Sequence, residues 1–399
     1  MLVTKRPLPN TDEANRIALE NVESWSGKFV ASDSEYEGEG IEFQNNDLLF
    51  GKLRPYLAKV YLATKAGLAI GDFYVLRCSK DITHTFLAHL LRSKSCINII
   101  DSSTYGAKMP RASWEFMGNL PIPLPPLNEQ HAIAAFLDYK TAQIDSLIDK
   151  KRRMIELLKE KRTALISHAV TKGLNPDAPM KDSGVPWLGQ VPAHWEVKRL
   201  KFVVSDKLRY GANESAELDD PALPRYIRIT DFGDDGKLRP ETFKSLEPEK
   251  ARDYMLMDGD ILFARSGATV GKTFIFKDYQ GVACHAGYLI RARPDHEQIV
   301  DQFLYTFTKS SQYDDWKSSV FIQATIENIG ADKYQNLLVP VPPIEEQKSI
   351  LNKVHGEMYR IDVVISATGH AVEKLQEYRT AIITAAVIGQ IDVRNHGAA

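Results

Sequence analysis

Cysteine is scarce in this chain: Cys78, Cys96 and Cys284 are the three it has in 399 residues. Their odd number, wide separation and lack of any C-x-x-C pair exclude a disulfide framework and a cysteine zinc site, leaving them as packing residues. Long apolar runs are also lacking. No stretch of about 18 apolar residues occurs, and the N-terminal MLVTKRPLPNTDEANR has no apolar core of signal-peptide length, so a soluble, cytoplasmic protein is expected. The third absence is charge of one sign. Lys plus Arg number 50 against 52 Asp plus Glu, a formal charge of −2, so any nucleic-acid surface has to be local or shared with partners. What is present is ample apolar content, 44% of the residues, enough for two or three ordinary cores in a chain of this length.

The stretch RSGATVGKTFIF, Arg265 to Phe276, resembles a phosphate-binding loop, but the spacing is wrong. Gly267 stands four positions before Gly271, and Ser266 occupies the place where the motif needs glycine. TFIFKDY then follows, β-branched and aromatic where the motif needs a helix whose N-terminus faces the phosphates. The context rejects a nucleotide site.

Internal repetition organises the rest. PLPPLNEQHAI at Pro123 to Ile133 recurs as PVPPIEEQKSI at Pro340 to Ile350, an offset of 217 residues that holds without a gap, with 17 of the 48 aligned positions from Pro125 to Lys172 identical. Both segments read as helices, opened by paired prolines and by an acidic first turn that suits the helix dipole. Each carries an apolar stripe at heptad spacing. In the first helix it runs through Leu137, Ile144, Ile148, Ile155, Leu158, Arg162 and Leu165; in the second through Ile361, Ile365, Val372, Leu375, Arg379 and Ile382. A helix of about 45 residues spans roughly 65 Å, too long for one small domain to cover, so the two stripes are expected to pack on each other as a coiled coil. Arg162 and Arg379 recur in one heptad column, which predicts a salt bridge to the opposite helix or to a partner. The run DKKRRMIELLKEKR, Asp149 to Arg162, reads as the solvated face of that coil, with docking of DNA backbone or a partner as the alternative.

The globular segments between the helices also match. NNDLLFGKLRPYLAKVYL from Asn45 aligns with DGDILFARSGATVGKTFIF from Asp258, pairing Asp47 with Asp260 and Lys59 with Lys272, so the shared feature is strand, basic loop, strand. YGAKMPRASWEFMGNLPIPLPP aligns in turn with IQATIENIGADKYQNLLVPVPP. The expected fold class is therefore α+β, with two similar globular domains separated by two long helices in an antiparallel coiled coil. The boundaries are 1–122 for the first domain, 123–174 for the first long helix, 175–339 for a linker and the second domain, and 340–399 for the second long helix.

These features resemble the specificity (S) subunit of Type I restriction-modification systems over nearly the whole chain. The most specific are the repeated P-[LV]-P-P-[LI]-x-E-Q helix openings, their approaches KMPRASW and ATIENIG, and PWLGQVPAHWEVKRLK at Pro186 to Lys201, which looks like the leader of a target recognition domain. The resemblance implies that each globular domain reads one half of a split double-stranded DNA target while the helices fix the spacing. It also implies two methyltransferase subunits, which bind S-adenosylmethionine and methylate adenine, and ATP-driven restriction subunits; this chain itself would hold no cofactor or metal and span no membrane. One departure stands out: the first domain begins almost at NRIALENVESWSGKF, which matches PRYIRITDFGDDGKL from Pro224, and so lacks about 35 leader residues by internal alignment.

No catalytic constellation emerges. The N-P-P-[YF] motif and glycine-rich cofactor loop of adenine methyltransferases are absent, as is a nuclease carboxylate cluster with a following E-x-K, and the ten histidines show no H-x-x-x-H spacing. DNA contacts are expected from loops after strands, where side chains reach out from a rigid scaffold. In the first domain these are Lys52, Arg54 and Tyr56, then Tyr105, Lys108 and Arg111; in the second, Arg265, Ser266, Thr269 and Lys272, then Gln323, Thr325 and Asn328. Arg and Lys suit guanine edges or phosphates, and Asn and Gln suit adenine edges. Any one of them alone is by default a solvated side chain, whereas together they stand at matched positions of a duplicated module. The competing readings are a specificity module of another defence system, a nucleotide-dependent protein using Gly271 and Lys272, and a structural coiled coil, which leaves the duplicated loops unexplained.

Overall fold

The computed structural model describes residues 15–32, 40–104, 106, 108–233, 236–321 and 328–393. The chain forms two compact units, Met1–Met154 with Ala367–Ala399, and Ile155–Ser366. In the first, strand Leu48–Gly51 lies between Val60–Leu62 and Phe73–Leu76, antiparallel to both. Its apolar run is continuous because both faces are covered. Leu48 and Phe50 pack with Ala88, Leu91 and Ile97 on one side, and Leu49 packs with Phe43, Phe73 and Val75 on the other. A smaller sheet adds Gly67–Ile70, parallel to Arg16–Ile17 and antiparallel to Gly40–Phe43. Helices His84–Arg92 and Lys94–Ser102 come next, joined by buried Ser93, whose Oγ donates to the Leu90 carbonyl and accepts from the Cys96 amide.

The second unit repeats this plan. Ile261–Ala264 lies between Thr273–Ile275 and Leu289–Ala292, Arg225–Ile227 runs parallel to Ala283–His285, and helices Asp301–Phe307 and Ser311–Phe321 meet at Ser310, which makes the same two hydrogen bonds. A matched ion pair with a buried carboxylate sits at the start of each central strand. Asp47 takes two hydrogen bonds from Arg77 and one from the Gln44 amide; Asp260 takes two from Arg293 and one from the Met257 amide. With Asp47 and Asp260 at most 2% exposed, removing either arginine would leave a carboxylate stranded in the core.

The long helices are Leu127–Lys172 and Ile344–Val387, 46 and 44 residues. Each unit takes the first half of one and the second half of the other, so they run antiparallel. None of the thirteen stripe residues named above is exposed. In the first unit Leu137, Ile144 and Ile148 share a cluster with Ile382, with Val372 and Leu375 packed against it. In the second, Leu165 packs against a cluster holding Ala169, Val170, Ile350 and Val354. The basic run is on the outside, as expected, with Lys150, Arg152, Arg153, Lys159 and Lys161 all exposed.

The recurring arginines bridge the helices, and the bridge is made twice with the helices exchanging roles. Arg379 donates to Asp145 through Nε at 2.7 Å and Nη2 at 3.4 Å, and through Nη1 to the Trp25 carbonyl; Arg162 faces Asp362 at 3.5 Å, and Asp362 is the repeat counterpart of Asp145. The first pair is nearly buried, 10% and 14% exposed, and the second is open, 41% and 53%. Arg379→Ala is therefore expected to cost about 2–4 kcal/mol, and Arg162→Ala less than about 1 kcal/mol. Urea denaturation of the two variants checks the asymmetry, and equal losses would contradict it.

The glutamine of each E-Q opening anchors its helix to the globular part beside it. Gln130 accepts from the Thr83 amide and donates to the carbonyls of Asp81 and Pro125; Gln347 accepts from the Val300 amide and donates to those of Gln298 and Pro342. Both are 0% exposed. Alanine at either position leaves three backbone groups without their partner, so Gln347→Ala and Gln130→Ala are each expected to destabilise by about 2–4 kcal/mol, read as a lowered thermal midpoint. Glutamate, which cannot donate to the two carbonyls, should not restore it.

The two units differ at one edge. In the second, leader strand Glu196–Arg199 pairs antiparallel with Leu338–Val341, beside fully buried Trp195, so Val339 is 0% and Val341 7% exposed. In the first, residues 119–126 form no strand, and the counterparts Ile122 and Leu124 are 39% and 55% exposed. The segment before the paired prolines is thus a strand only in the second unit, where Glu196–Arg199 pairs with it.

Candidate nucleic-acid interface

In each unit, hydrogen bonds draw the two predicted contact segments together. The first unit's loop after Leu48–Gly51 turns through a short 3-10 helix, Pro55–Leu57, flanked by Arg54 and Ala58 at φ 51° and 48°. Two non-glycine residues in the left-handed region store strain that the surrounding contacts must hold. Those contacts are visible: Leu53 bridges Arg111, the Arg54 amide donates to Pro110, and the Ala112 amide donates to Lys52. Arg54, Tyr56 and Lys108 are exposed on this junction. Lys52 and Arg111 are not free cations. Asp72, from the turn between two strands, pairs with Lys52 at 3.6 Å and with Arg111 at 3.0 Å, and Lys52 also lies 5.6 Å from the centre of the Tyr74 ring.

In the second unit the same junction forms from different residues. Ser266 bridges Asn328, and the Ile329 amide donates to the Arg265 carbonyl. Ser266 and Asn328 are the repeat counterparts of Leu53 and Arg111, so both readers close their loop at one place. Asn328 and Lys272 are exposed, and Ser266 and Thr269 half-buried. The Arg265 guanidinium sits 4.8 Å from the centre of the Tyr210 ring, and Tyr288 beside it is 64% exposed. Tyr105, Gln323 and Thr325 lie outside the described residues.

The phosphate-loop resemblance ends at Thr273–Ile275, a strand standing where a nucleotide loop would open a helix. Gly271 is needed for the turn: its φ is +76°, and a Cβ there would stand 2.3 Å from Lys317 Cδ. Lys59, the counterpart of Lys272, is tied inward by donating to the Leu19 carbonyl at 2.6 Å, and burial pulls its ammonium pKa down. A second matched pair of cations holds the neighbouring strand. Arg92 donates to the Val60 carbonyl and Lys309 to the Thr273 carbonyl, with burial lowering Lys309 to about 8.

Sequence reasoning missed Asp72, Tyr74, Tyr210 and Tyr288. Tyr210 left no signal to find, because its strand, Arg209–Tyr210, belongs to a part of the second unit without a counterpart among the described residues of the first. Asp72 and Tyr288 do occupy matched turns, and their unlike chemistry hid the correspondence. Among the described residues no group of three His, Cys, Asp or Glu side chains could hold a metal ion, and no helix is long and apolar enough to cross a membrane.

Comparison with known proteins agrees with this duplicated plan. A family model described as the Type I restriction modification DNA specificity domain matches twice, at residues 12–157 and 192–355. The MjaVIII type I restriction enzyme specificity subunit of Methanocaldococcus jannaschii is 26% identical over 361 residues, 89% of this chain and 81% of the relative. The EcoKI specificity subunit of Escherichia coli is 26% identical over 326 residues, 79% of this chain and 68% of the relative. Among solved structures, a chain from a study of complex assembly and conformational transition of the type I restriction-modification system superposes with a TM-score of 0.76 at 20% identity, over 97% of this chain and 95% of the other. The HsdS subunit of Thermoanaerobacter tengcongensis gives 0.53 at 20% identity, over 94% and 90%; at these identities the likeness is one of fold. With both globular parts and both helix openings inside the match, the chain belongs to the Type I restriction-modification DNA specificity family.

Proposed function

We propose that this chain is the DNA-reading scaffold of a Type I complex, each unit taking one half of a bipartite target through its loop junction, Lys52 to Tyr56 with Lys108 and Arg111 in one and Arg265 to Lys272 with Asn328 in the other. The observation that carries this is the junction made twice from unlike residues, at Leu53 with Arg111 and at Ser266 with Asn328. One scaffold position with two chemistries is what a two-part reader needs, since matched scaffolds fix geometry and differing side chains fix the bases. Methyltransferase subunits carrying S-adenosylmethionine would dock on the helices, where Leu147, Met154 and Leu157 on one and Tyr359 and Val363 on the other are apolar yet exposed. Catalysis, ATP use and cleavage would belong to those partners and to the restriction subunits.

The experiment is co-expression with the methyltransferase subunit encoded beside it, and then single-molecule sequencing of modified adenines. A split motif with a fixed unspecified spacer is expected. A single contiguous half-site would mean that the first unit is silent. Absence of new modification in cells where the subunits assemble would favour a specificity module serving another defence system.

A further inference from the structure

The two loop junctions share one feature that the repeat does not dictate. Lys52 and Arg265 are counterparts, and each lies over a tyrosine ring, at 5.6 Å and 4.8 Å from the ring centre, within range of a cation–π attraction. The rings come from different places. Tyr74 is on the strand paired with Leu48–Gly51, where the second unit has Ile290, and Tyr210 is on an added strand, directly opposite Ile290. The two units thus meet one requirement, a flat support beneath the loop cation, by separate means.

Their surroundings differ in a way that points to a ligand. Lys52 shares Asp72 with Arg111. Arg265 has no carboxylate within ion-pair distance among the described residues, and its Nε is buried there without an acceptor. Its backbone is pinned on both sides, the amide donating to the Tyr288 carbonyl and the carbonyl accepting from Ile329. Tyr210 is pinned too, its hydroxyl accepting from the Ala331 amide at 2.9 Å. A fork of donors with no internal anion, held against a fixed ring at the mouth of a reading loop, is arranged for an external pair of acceptors. On DNA that pair is the major-groove edge of guanine, which a planar guanidinium meets with two parallel hydrogen bonds.

We propose that Tyr210 is a positioning residue for Arg265, and that the pair reads a guanine in the half-site taken by the second unit. This rests on the DNA-reading function above. The ring restricts the guanidinium to one plane before DNA arrives, so the fork is already oriented for one base. A phosphate would also accept two bonds from this fork, but phosphate contact carries no base preference, so discrimination at a single position separates the two.

The test uses the full chain assembled with its methyltransferase subunit, and competition binding with duplexes carrying each of the four base pairs at every position of both half-sites. Arg265→Ala is expected to lower discrimination at one guanine about tenfold or more, with other positions unchanged. Tyr210→Ala should weaken that same discrimination, and whatever stability is lost by freeing the Ala331 amide is shared with Tyr210→Phe, which also removes the hydroxyl. Tyr210→Phe, which keeps the ring, should retain the discrimination, and Arg265→Lys, which lacks the fork, should not. The inference is overturned if Tyr210→Ala leaves discrimination intact where Arg265→Ala removes it, or weakens every position alike. Should Tyr210→Ala fail to assemble, Arg265→Lys decides: full guanine discrimination with lysine would sink the proposal, and its loss at that one base would sustain it. A wild-type complex without base preference in either half would refute the DNA-reading function itself, a separate outcome.

Discussion

Replacing Val339 with aspartate is expected to unfold the second unit, while the matching change in the first, Ile122→Asp, should leave its unit folded. Val339 is 0% exposed on the strand that pairs with Glu196–Arg199, and belongs to the cluster holding Trp195, Leu200 and Tyr334. Aspartate there forfeits the apolar burial, about 2 kcal/mol, and leaves a carboxylate without partners in a dry core, for a combined cost of about 4–6 kcal/mol. That is much of what a domain of this size has in reserve. Ile122 is 39% exposed with no strand beside it, so its aspartate keeps water and should cost less than about 1 kcal/mol. Amide hydrogen exchange resolved by peptide distinguishes the units, since it reports the opening of each segment separately. Equal destabilisation would mean that the first unit's edge is covered in solution by a segment that plays the leader's part.

That asymmetry was not legible in the local pattern, since Ile122 and Leu124 repeat the apolar positions of Val339 and Val341. Burial of the latter pair depends on pairing between Leu338–Val341 and Glu196–Arg199, far away in sequence, which periodicity cannot report. The helices were the opposite case. Their stripes are local, repeat every seven residues and recur at a fixed offset, so Leu137, Ile144 and Ile382 could be placed at the seam from spacing alone, and the structure buries all three. Arg379 was legible as a column member; that its partner would be Asp145, with Arg162 set opposite Asp362 as an ion pair at 3.5 Å, needed the antiparallel register.

The loop junction lay in between. Of the later segment in each unit, Arg111 and Asn328 are the residues that meet the loop, at Leu53 and Ser266. Side-chain chemistry misled there: Lys52 and Arg111 looked like free cations, and Asp72 shows them shared. The alignment at the first domain's start was also one residue out. The capping bonds of Asn21 to the Ala18 amide and Asp231 to the Arg228 amide fix the register, and the turn from Val22 to Phe29 is one residue longer than that from Phe232 to Leu238. A one-residue turn insertion is invisible when few residues on either side are identical.

Lengthening both long helices by one heptad should keep the two half-sites and change only the distance between them. A seven-residue insertion preserves the phase of the stripe, so Ile144, Ile148, Ile365 and Val372 stay on the seam, provided both helices grow together within the exposed run around Lys150 and the facing part of the second helix. The added length is about 10 Å at 1.5 Å per residue. Duplex DNA advances about 3.4 Å per base pair, so the spacer should grow by about three base pairs. Methylation at the original sites is expected to disappear and to reappear at sites with the same halves and a longer gap, read by the same mapping of modified adenines. Insertion in one helix alone puts the stripes out of register and should abolish assembly, which separates a spacing effect from a folding effect. If the double insertion assembles and methylates the original sites, the helices do not set the spacing, and the distance between half-sites must be imposed by the partner subunits.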